Sequence, residues 1–288
     1  MTSPRTLLSA WNLHPKKQLG QHFLSDPSTA EMITARSGIV SEDIVLEIGA
    51  GLGALTIPLA HAAKKVYAVD TDSQIIELLK TELVANSISN VVLIKENILK
   101  VNIERLAKEA GRRPIVIGNL PYNISSQILV QLIKSRSIVS RAIFMLQKEL
   151  SRRITAKPCC RDYGRLTVML QYCADIKKIA DIKAHQFFPK PKVDSEVLEI
   201  NFKTAMKYPA RDEAFFFKVI KAAFGQRRKT LRNALAGSEL HLDTSTAQRV
   251  LENAGIEPSR RAETLTVSEF VDLSNVFEMQ PFEKNQTG

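Results

Sequence analysis

The chain has few cysteines, and their arrangement excludes two classes of protein. Only three occur in 288 residues, and no two of them form a C-x-x-C pair. Three thiols are too few for a disulfide framework, and the five histidines are scattered without metal-ligand spacing. We therefore expect free thiols at Cys159, Cys160 and Cys173, no bound metal, and a protein of the reducing cytoplasm.

A signal peptide and a long hydrophobic run are also missing. The first twenty residues contain no continuous apolar core. Residues 44–63 carry a single formal charge, Glu47. Three glycines and a proline in that stretch favour a strand, a tight loop and a short helix over a membrane span. We therefore expect a soluble protein with no membrane partner.

Positive charge, by contrast, is in excess. The 40 Lys and Arg residues outnumber the 30 Asp and Glu residues, giving a formal charge of +10. This excess favours a polyanion as partner, although solubility alone would also explain it. The charge is unevenly distributed: residues 203–237 have nine basic and two acidic side chains, residues 141–165 have seven and two, and residues 238–288 have four and nine. Solubility would not require this separation, which favours a polyanionic partner, either nucleic acid or an anionic membrane surface.

Short, β-branched apolar runs recur between residues 44 and 146. Five of them predict buried strands, at residues 44–48, 66–69, 91–94, 115–117 and 142–146. Helical spacing between the runs predicts a doubly wound α/β domain with a parallel sheet. Residues 177–184 and 197–202 alternate polar and apolar side chains, which predicts strands at an antiparallel edge.

A change of composition at residues 204–212 predicts a linker. Beyond it, apolar residues at helical spacing predict a helix over residues 215–235, followed by shorter helices. We therefore predict two domains, an α/β domain over residues 1–205 and a smaller, mostly helical domain over residues 206–288.

A glycine-rich loop follows the first predicted strand. Gly49, Gly51 and Ala54 have the spacing G-x-G-x-x-A, in which glycines let the backbone turn sharply and approach a ligand. The next strand ends at Asp70, an acid placed to accept both hydroxyls of a ribose. Dehydrogenases share both features, so the loop and the acid together predict a nucleoside cofactor without identifying it.

Three further features favour S-adenosylmethionine (SAM) as that cofactor. Glu47 lies two residues before Gly49, and an acid there is tolerable where no diphosphate binds. The third strand ends in Glu96 and Asn97, polar side chains that can contact adenine. The fourth strand ends in Asn119-Leu120-Pro121-Tyr122, at the carboxyl edge where open α/β sheets have their active sites.

This tetrapeptide suits methyl transfer to an exocyclic amine. The transfer is an in-line displacement that needs no metal, but the lone pair of adenine N6 is delocalised into the ring. The side-chain carbonyl of Asn119 and the backbone carbonyl of Leu120 can accept hydrogen bonds from the amino hydrogens. Tyr122 can stack on the base. Asn and Pro also favour ordinary turns, so the position after the fourth strand is what favours an amino-methyltransferase.

The chain resembles the ribosomal small-subunit RNA adenine dimethyltransferases, whose loss confers kasugamycin resistance in bacteria. The resemblance runs from residue 15 to about residue 275. Besides the glycine loop and the tetrapeptide, it includes residues 15–24, 147–149, 163–166, 187–195, 224–233 and 262–265. It implies a Rossmann-like SAM-dependent methyltransferase domain with a smaller C-terminal helical RNA-binding domain.

The resemblance also implies an activity and a partner. The expected reaction is dimethylation of the N6 amino groups of two adjacent adenosines near the 3′ end of small-subunit (16S) rRNA, with SAM as methyl donor. The expected partner is the rRNA of the assembling 30S particle, on which a monomeric enzyme acts late in subunit assembly.

Site residues follow from the same resemblance. In the implied cofactor site, His22 and Leu24 close over the methionine end of SAM, and Gly49, Asp70, Asn97 and Asn119 contact the rest. Asn119 and Leu120 also orient the target amine. Tyr122 and Phe187 are expected to stack on the extruded adenine, although Phe187 and its neighbouring prolines could instead form a rigid packed loop. Three residues depart from the commonest pattern and leave cofactor affinity in question: His22, Asp70 and Asn97, where Asn, Glu and Asp are commoner.

Other functions stay open at this point. One is an RNA-binding assembly factor in which catalysis is secondary. A related enzyme is the large-subunit rRNA methyltransferase that confers macrolide resistance, which has a similar core, although residues 225–229 and the segment after them resemble the small-subunit enzymes more closely. A dehydrogenase is the most distant alternative.

Overall fold

The structure is a computed structural model that describes residues 2–279. Within these residues nine strands occur in chain order: β1 Phe23–Leu24, β2 Ile44–Ile48, β3 Lys65–Asp70, β4 Val91–Lys95, β5 Ile115–Asn119, β6 Ala142–Gln147, β7 Ala174–Ile182, β8 Phe187–Phe188 and β9 Ser195–Phe202. The helices are α1 Pro4–Ala10, α2 Pro27–Arg36, α3 Thr56–Ala62, α4 Ser73–Ala85, α5 Ile103–Ala110, α6 Ser125–Lys134, α7 Lys148–Ile154, α8 Arg165–Cys173, α9 Glu213–Ala223, α10 Leu231–Ala236, α11 Thr244–Asn253 and α12 Val267–Met279.

Seven strands form one sheet in the order β4-β3-β2-β5-β6-β9-β7. The pairs β3–β4, β2–β3, β2–β5 and β5–β6 are parallel, and β6–β9 is antiparallel. The predicted α/β fold with a parallel sheet is therefore confirmed. The strand order reverses between β2 and β5, and such a switch point is where open α/β sheets bind their ligands.

Burial explains why most strands were recognisable from their apolar residues. The side chains of β2, β5 and β6 are almost all buried, because helices cover both faces of a parallel sheet. Strand β4 differs from the prediction of a buried strand, since it lies at the edge of the sheet and Val92 is 38% exposed. A second, two-stranded antiparallel ribbon pairs Phe23 with Phe188 and Leu24 with Phe187.

Backbone contacts divide the chain into two compact units. The first runs through Ser151 and resumes at Asp175–Phe202, and the second comprises Arg152–Ala174 and the described residues from Lys203 onward. The second unit therefore includes residues 152–174, which the predicted boundary at residue 205 places in the first domain. Packing is the reason: the Tyr172 ring at the end of α8 lies 4.5 Å from the Phe216 ring of α9.

The predicted helix over residues 215–235 is two helices. Helix α9 ends at Ala223 and α10 begins at Leu231. Between them lies a turn that contains Gly225, a poor helix former. All five residues of this turn, 225–229, are exposed.

Gly118 allows β5 to pack against β2, and its substitution tests this packing. A Cβ atom at Gly118 would lie 2.2 Å from the carbonyl oxygen of Ile48, a backbone atom that cannot move aside. We expect Gly118→Ala to lower the free energy of unfolding by about 2–3 kcal/mol, measured by urea denaturation. Gly164→Ala is the control, because no described atom lies within 4 Å of its Cβ position. Equal stability of the two variants would contradict this account of the sheet.

Candidate active site

A cavity of about 180 Å³ opens at the carboxyl ends of β2, β3, β4 and β5, within the first unit. Its wall combines the glycine loop, the ends of three further strands and part of the N-terminal segment. The lining includes Gly49, Asp70, Asn97, Asn119, Leu120, Tyr122 and His22. The structure thus brings seven of the nine predicted site residues together, at the switch point of the sheet.

Gly49 makes the glycine loop fit against β5. Its φ is +73°, in the left-handed region, and a Cβ atom would lie 3.1 Å from the carbonyl oxygen of Asn119. The backbone N–H groups of Gly49 and Ala50 both donate to the carbonyl oxygen of Val69, at 2.9 and 3.1 Å. Only glycine suits this position, because any side chain would strain the backbone and crowd β5.

Asp70 holds the same loop from the neighbouring strand. Its Oδ2 accepts a hydrogen bond of 2.9 Å from the Gly51 N–H, and its Oδ1 accepts one of 3.0 Å from the Asp72 N–H. Burial raises the pKa of Asp70, against the effect of these backbone donors. Each carboxylate oxygen keeps a second lone pair, so Asp70 can both shape the loop and accept a ligand hydroxyl.

Asn97 has a defined amide orientation. Its Oδ1 accepts a 3.0 Å hydrogen bond from the Leu99 N–H and so caps the short 3-10 turn Ile98–Lys100. The carboxylate of Glu96 in turn accepts the Asn97 N–H at 2.8 Å. The Nδ2 amino group of Asn97 is therefore the group that this side chain can offer to a ligand.

Residues 16–24, here called the N-terminal strap, close one side of the cavity. The strap is anchored on Asp72, whose Oδ2 lies 2.9 Å from Lys16 Nζ and accepts a 3.0 Å hydrogen bond from Gln21 Nε2. Burial opposes ionisation of Asp72, but the hydrogen bonds from Lys16 and Gln21 keep its pKa below the usual value. Asp72 also caps α4 through the Gln74 N–H, so one carboxylate joins the strap to a helix of the core.

Asn119 connects the strap to the sheet. Its Nδ2 donates a 2.9 Å hydrogen bond to the carbonyl oxygen of His22. A backbone carbonyl can only accept, so this bond fixes the amide orientation and leaves Oδ1 as an acceptor. Among the described residues this buried oxygen has no hydrogen-bond partner. The arrangement offers an oriented acceptor to a donor that the protein itself does not supply.

Tyr122 and His22 are stacked beside that acceptor. Their ring centroids are 5.4 Å apart and the ring planes differ by 27°. His22 Nδ1 lies 2.7 Å from the carbonyl oxygen of Pro189, and therefore carries the hydrogen of that bond. Burial raises the pKa of the Tyr122 phenol. His22 thus contacts three separate parts of the site through its ring and its carbonyl group.

Two predicted residues, Leu24 and Phe187, lie outside this cavity. They are paired in the two-stranded ribbon, and both side chains are 3% exposed in the hydrophobic core. Leu24 lines a smaller cavity of about 30 Å³ behind the glycine loop. Phe187 lines neither of the two cavities within the described residues, so in this conformation it forms part of a packed loop.

Glu47 has properties that sequence reasoning missed. The carboxyl is 1% exposed, it lines the smaller cavity, and its Oε2 has no hydrogen-bond partner in the described part of the chain. Burial raises its pKa to about 8, and the negative charge of Asp70 acts in the same direction. An acid inside the otherwise apolar strand IVLEI was the signal that could have revealed this.

Residues 2–279 contain neither a cluster of metal-ligand side chains nor a membrane-spanning helix. No group of three or more His, Cys, Asp or Glu side chains is placed to hold a metal ion. No described helix combines the length and the apolar character needed to cross a membrane.

Known proteins are similar to this chain in sequence and in architecture. A family model described as ribosomal RNA adenine dimethylase matches residues 12–273. The chain belongs to this family. A Ribosomal RNA small subunit methyltransferase A from Desulforapulum autotrophicum is 54% identical over 275 residues, which cover 96% of each protein. Its counterpart from Magnetococcus marinus is 40% identical over 271 residues, which cover 94% of this chain and 95% of that protein.

Solved structures extend the comparison to the fold. A dimethyladenosine transferase from Plasmodium falciparum is similar with a TM-score of 0.73 and 26% identity, over 87% of this chain and 95% of that chain. The 23S rRNA methyltransferase ErmE is similar in fold, with a TM-score of 0.66 and 20% identity, over 89% and 99% of the two chains. The resemblance seen in the sequence motifs and the expected Rossmann-like methyltransferase fold are both confirmed.

The buried carboxyl of Glu47 predicts a pH dependence of stability. With a pKa near 8 when folded and 4.5 when unfolded, Glu47 keeps in the folded state a proton that the unfolded state releases between these values. Stability therefore falls as pH rises through this range, by about 1.4 kcal/mol per pH unit from this group. Between pH 6 and pH 8, the free energy of unfolding of Glu47→Gln, measured in urea, should rise by about 2–3 kcal/mol relative to that of the wild type. Parallel pH curves for the two proteins would exclude this assignment.

Proposed function

We propose that this protein transfers methyl groups from SAM to the N6 amino groups of two adjacent adenosines near the 3′ end of small-subunit rRNA, late in assembly of the 30S particle. The observation that carries the proposal is the buried, oriented Oδ1 of Asn119 at the end of β5. Membership of the adenine dimethylase family and similarity to small-subunit methyltransferases support the same reaction.

The acceptor at Asn119 suits an amino group with two hydrogens. One hydrogen bonds to Oδ1, and the backbone carbonyl of Leu120 is a second acceptor in the cavity lining. The position of Leu120 is fixed by its N–H, which donates to the carbonyl oxygen of Met145 at 3.2 Å. Two acceptors draw the hydrogens out of the plane of the base and expose the nitrogen lone pair for an in-line attack.

The residues around the cavity fit SAM. The loop at Gly49 leaves room that a Cβ would fill, Asp70 offers carboxylate lone pairs for ribose hydroxyls, and Asn97 offers an amide N–H for the adenine. His22 and Asn119 belong to the wall that would face the methionine end, with Leu24 behind it. When bound, SAM supplies a methyl group on a positively charged sulfur, which is the leaving group of the displacement.

Tyr122 is the aromatic residue placed to hold the target base. His22 covers part of one ring face, and the side chain lines the cavity next to Asn119. Aromatic rings bind extruded bases by stacking. A stacking role for Phe187 stays a prediction, because its side chain would first have to leave the core.

Docking of the rRNA is assigned to the second unit. Its exposed cations include Arg152, Arg153, Lys157, Arg161, Arg165, Arg227, Arg228 and Lys229. Arg141, which belongs to the basic segment 141–165, has a structural role instead: its Nη2 donates to the carbonyl oxygens of Ser37 and Gly38, and its Nε lies 3.7 Å from Glu199. Exposed cations gain binding energy from phosphate neutralisation and counterion release.

Methylation of isolated subunits tests the proposed reaction. Incubation of under-methylated small ribosomal subunits with methyl-labelled SAM should place label in dimethyladenosine. Asn119→Ala should abolish the transfer, because the amine loses its main acceptor, and should still bind the subunit. Absence of labelled dimethyladenosine with the wild-type protein would overturn the catalytic proposal. Loss of both transfer and binding in the variant would refute the separation of chemistry from docking.

Salt dependence tests the docking surface. Replacement of Arg227, Arg228 and Lys229 by Ala should weaken subunit binding and reduce the slope of log affinity against log salt by about two to three. A triple alanine variant at Lys64, Lys80 and Lys95, exposed cations of the first unit, is the control and should keep the wild-type slope. If the two triple variants shift the slope equally, the rRNA is not bound by this turn.

A further inference from the structure

Ser195 is the one hydroxyl residue in the segment 187–195, and the preceding sections give it no role. It begins β9, opposite Gln147 of β6, and is fully buried. Other residues of the segment have partners. The carbonyl of Pro189 bonds to His22, and Asp194 accepts the Ala184 N–H at 2.9 Å and a 3.1 Å hydrogen bond from Lys183 Nζ. The Ser195 hydroxyl has no partner of this kind.

The hydroxyl of Tyr122 is a neighbour of the Ser195 hydroxyl and also lacks a hydrogen-bond partner. Both oxygens are buried, and neither makes a hydrogen bond of normal geometry within the described chain. Burial raises the pKa of the Tyr122 phenol, and the Ser195 hydroxyl is close enough to oppose that rise. Two neighbouring hydroxyls, each able to donate and to accept, are therefore left without a hydrogen bond of normal geometry, and one of them belongs to Tyr122 of the cavity wall.

We infer that Ser195 is a positioning residue for Tyr122: its hydroxyl pairs with the phenol when the target base enters and so fixes the orientation of the ring. Ser195 is held by the β6–β9 pairing and cannot move far. Tyr122, which follows the end of β5, is therefore the residue whose side chain has to rotate to form the pair. The ring is then held at its hydroxyl end by Ser195 and on one face by His22, which leaves the other face for the base.

In the absence of substrate, removal of the Ser195 hydroxyl should not lower stability, whereas removal of the hydroxyl of a purely structural serine should. A buried hydroxyl without a partner destabilises the folded protein, so its removal is neutral or stabilising. A buried hydroxyl with a partner contributes to stability. The inference therefore predicts that one substitution slows methyl transfer without lowering stability. It rests on the proposed function, because Tyr122 acts on a base only if the protein is a base methyltransferase.

The test is a double-mutant cycle on Ser195→Ala and Tyr122→Phe, with single-turnover methyl transfer to under-methylated subunits at saturating SAM. Ser195→Ala should slow transfer about three- to tenfold, leave SAM affinity unchanged and leave the melting temperature equal or higher. In the Tyr122→Phe background it should have no further effect, since the phenol is already absent. Ser195→Thr, which keeps the hydroxyl, should restore transfer.

Ser37→Ala is the matched control. This serine is 2% exposed and its hydroxyl donates to the Thr34 carbonyl oxygen at 2.6 Å. Its loss should lower the melting temperature and leave the transfer rate unchanged. Wild-type transfer by Ser195→Ala, or an equal slowing in both backgrounds of the cycle, would overturn the inference alone. A wild-type protein that transfers no methyl group would instead overturn the proposed function.

Discussion

The hydrogen bond between Asn119 Nδ2 and the His22 carbonyl holds the site together. It joins the end of the central strand β5 to the N-terminal strap, which encloses the cavity. The same bond decides which atom of Asn119 remains for a ligand. The strap depends in turn on Asp72, and the glycine loop depends on Asp70 and on the absence of a side chain at Gly49. The strap and the glycine loop, two walls of the cavity, are therefore held in place by short polar contacts.

Several buried polar atoms without a partner belong to residues in or beside the cavity wall. Within residues 2–279, Glu47 Oε2, Asn119 Oδ1, Tyr122 OH and Ser195 Oγ are all buried without a hydrogen-bond partner. Each such group costs about 1–3 kcal/mol, and a sheet built for stability alone would replace them with apolar side chains. Their retention at one edge of the sheet is the expected cost of a surface that is completed by ligands.

The sequence predicted much of the fold and most of the site because both depend on local signals. Apolar β-branched runs identified the strands, and polar residues directly after them identified the cavity wall at Asp70, Asn97 and Asn119. The differences between the predictions and the structure concern long-range packing. Residues 152–174 belong to the second unit because Tyr172 meets Phe216, and Phe187 is in the core because of its pairing with Leu24. Neither contact can be predicted from the local pattern of apolar and polar residues. The unpaired state of Glu47 and Ser195 likewise depends on neighbours that are distant in sequence.

The two-stranded ribbon has a consequence for how the protein is made. Phe23 and Leu24 pair with Phe188 and Phe187, and His22 meets Pro189 across 167 residues of chain. The N-terminal strap is synthesised first, but its partners in the ribbon emerge only after more than half of the chain has been translated. Residues 152–174 emerge before the ribbon can close, yet they pack with helices still to be made. The contacts between the strap and β8 therefore cannot form on a nascent chain until β8 has left the ribosome.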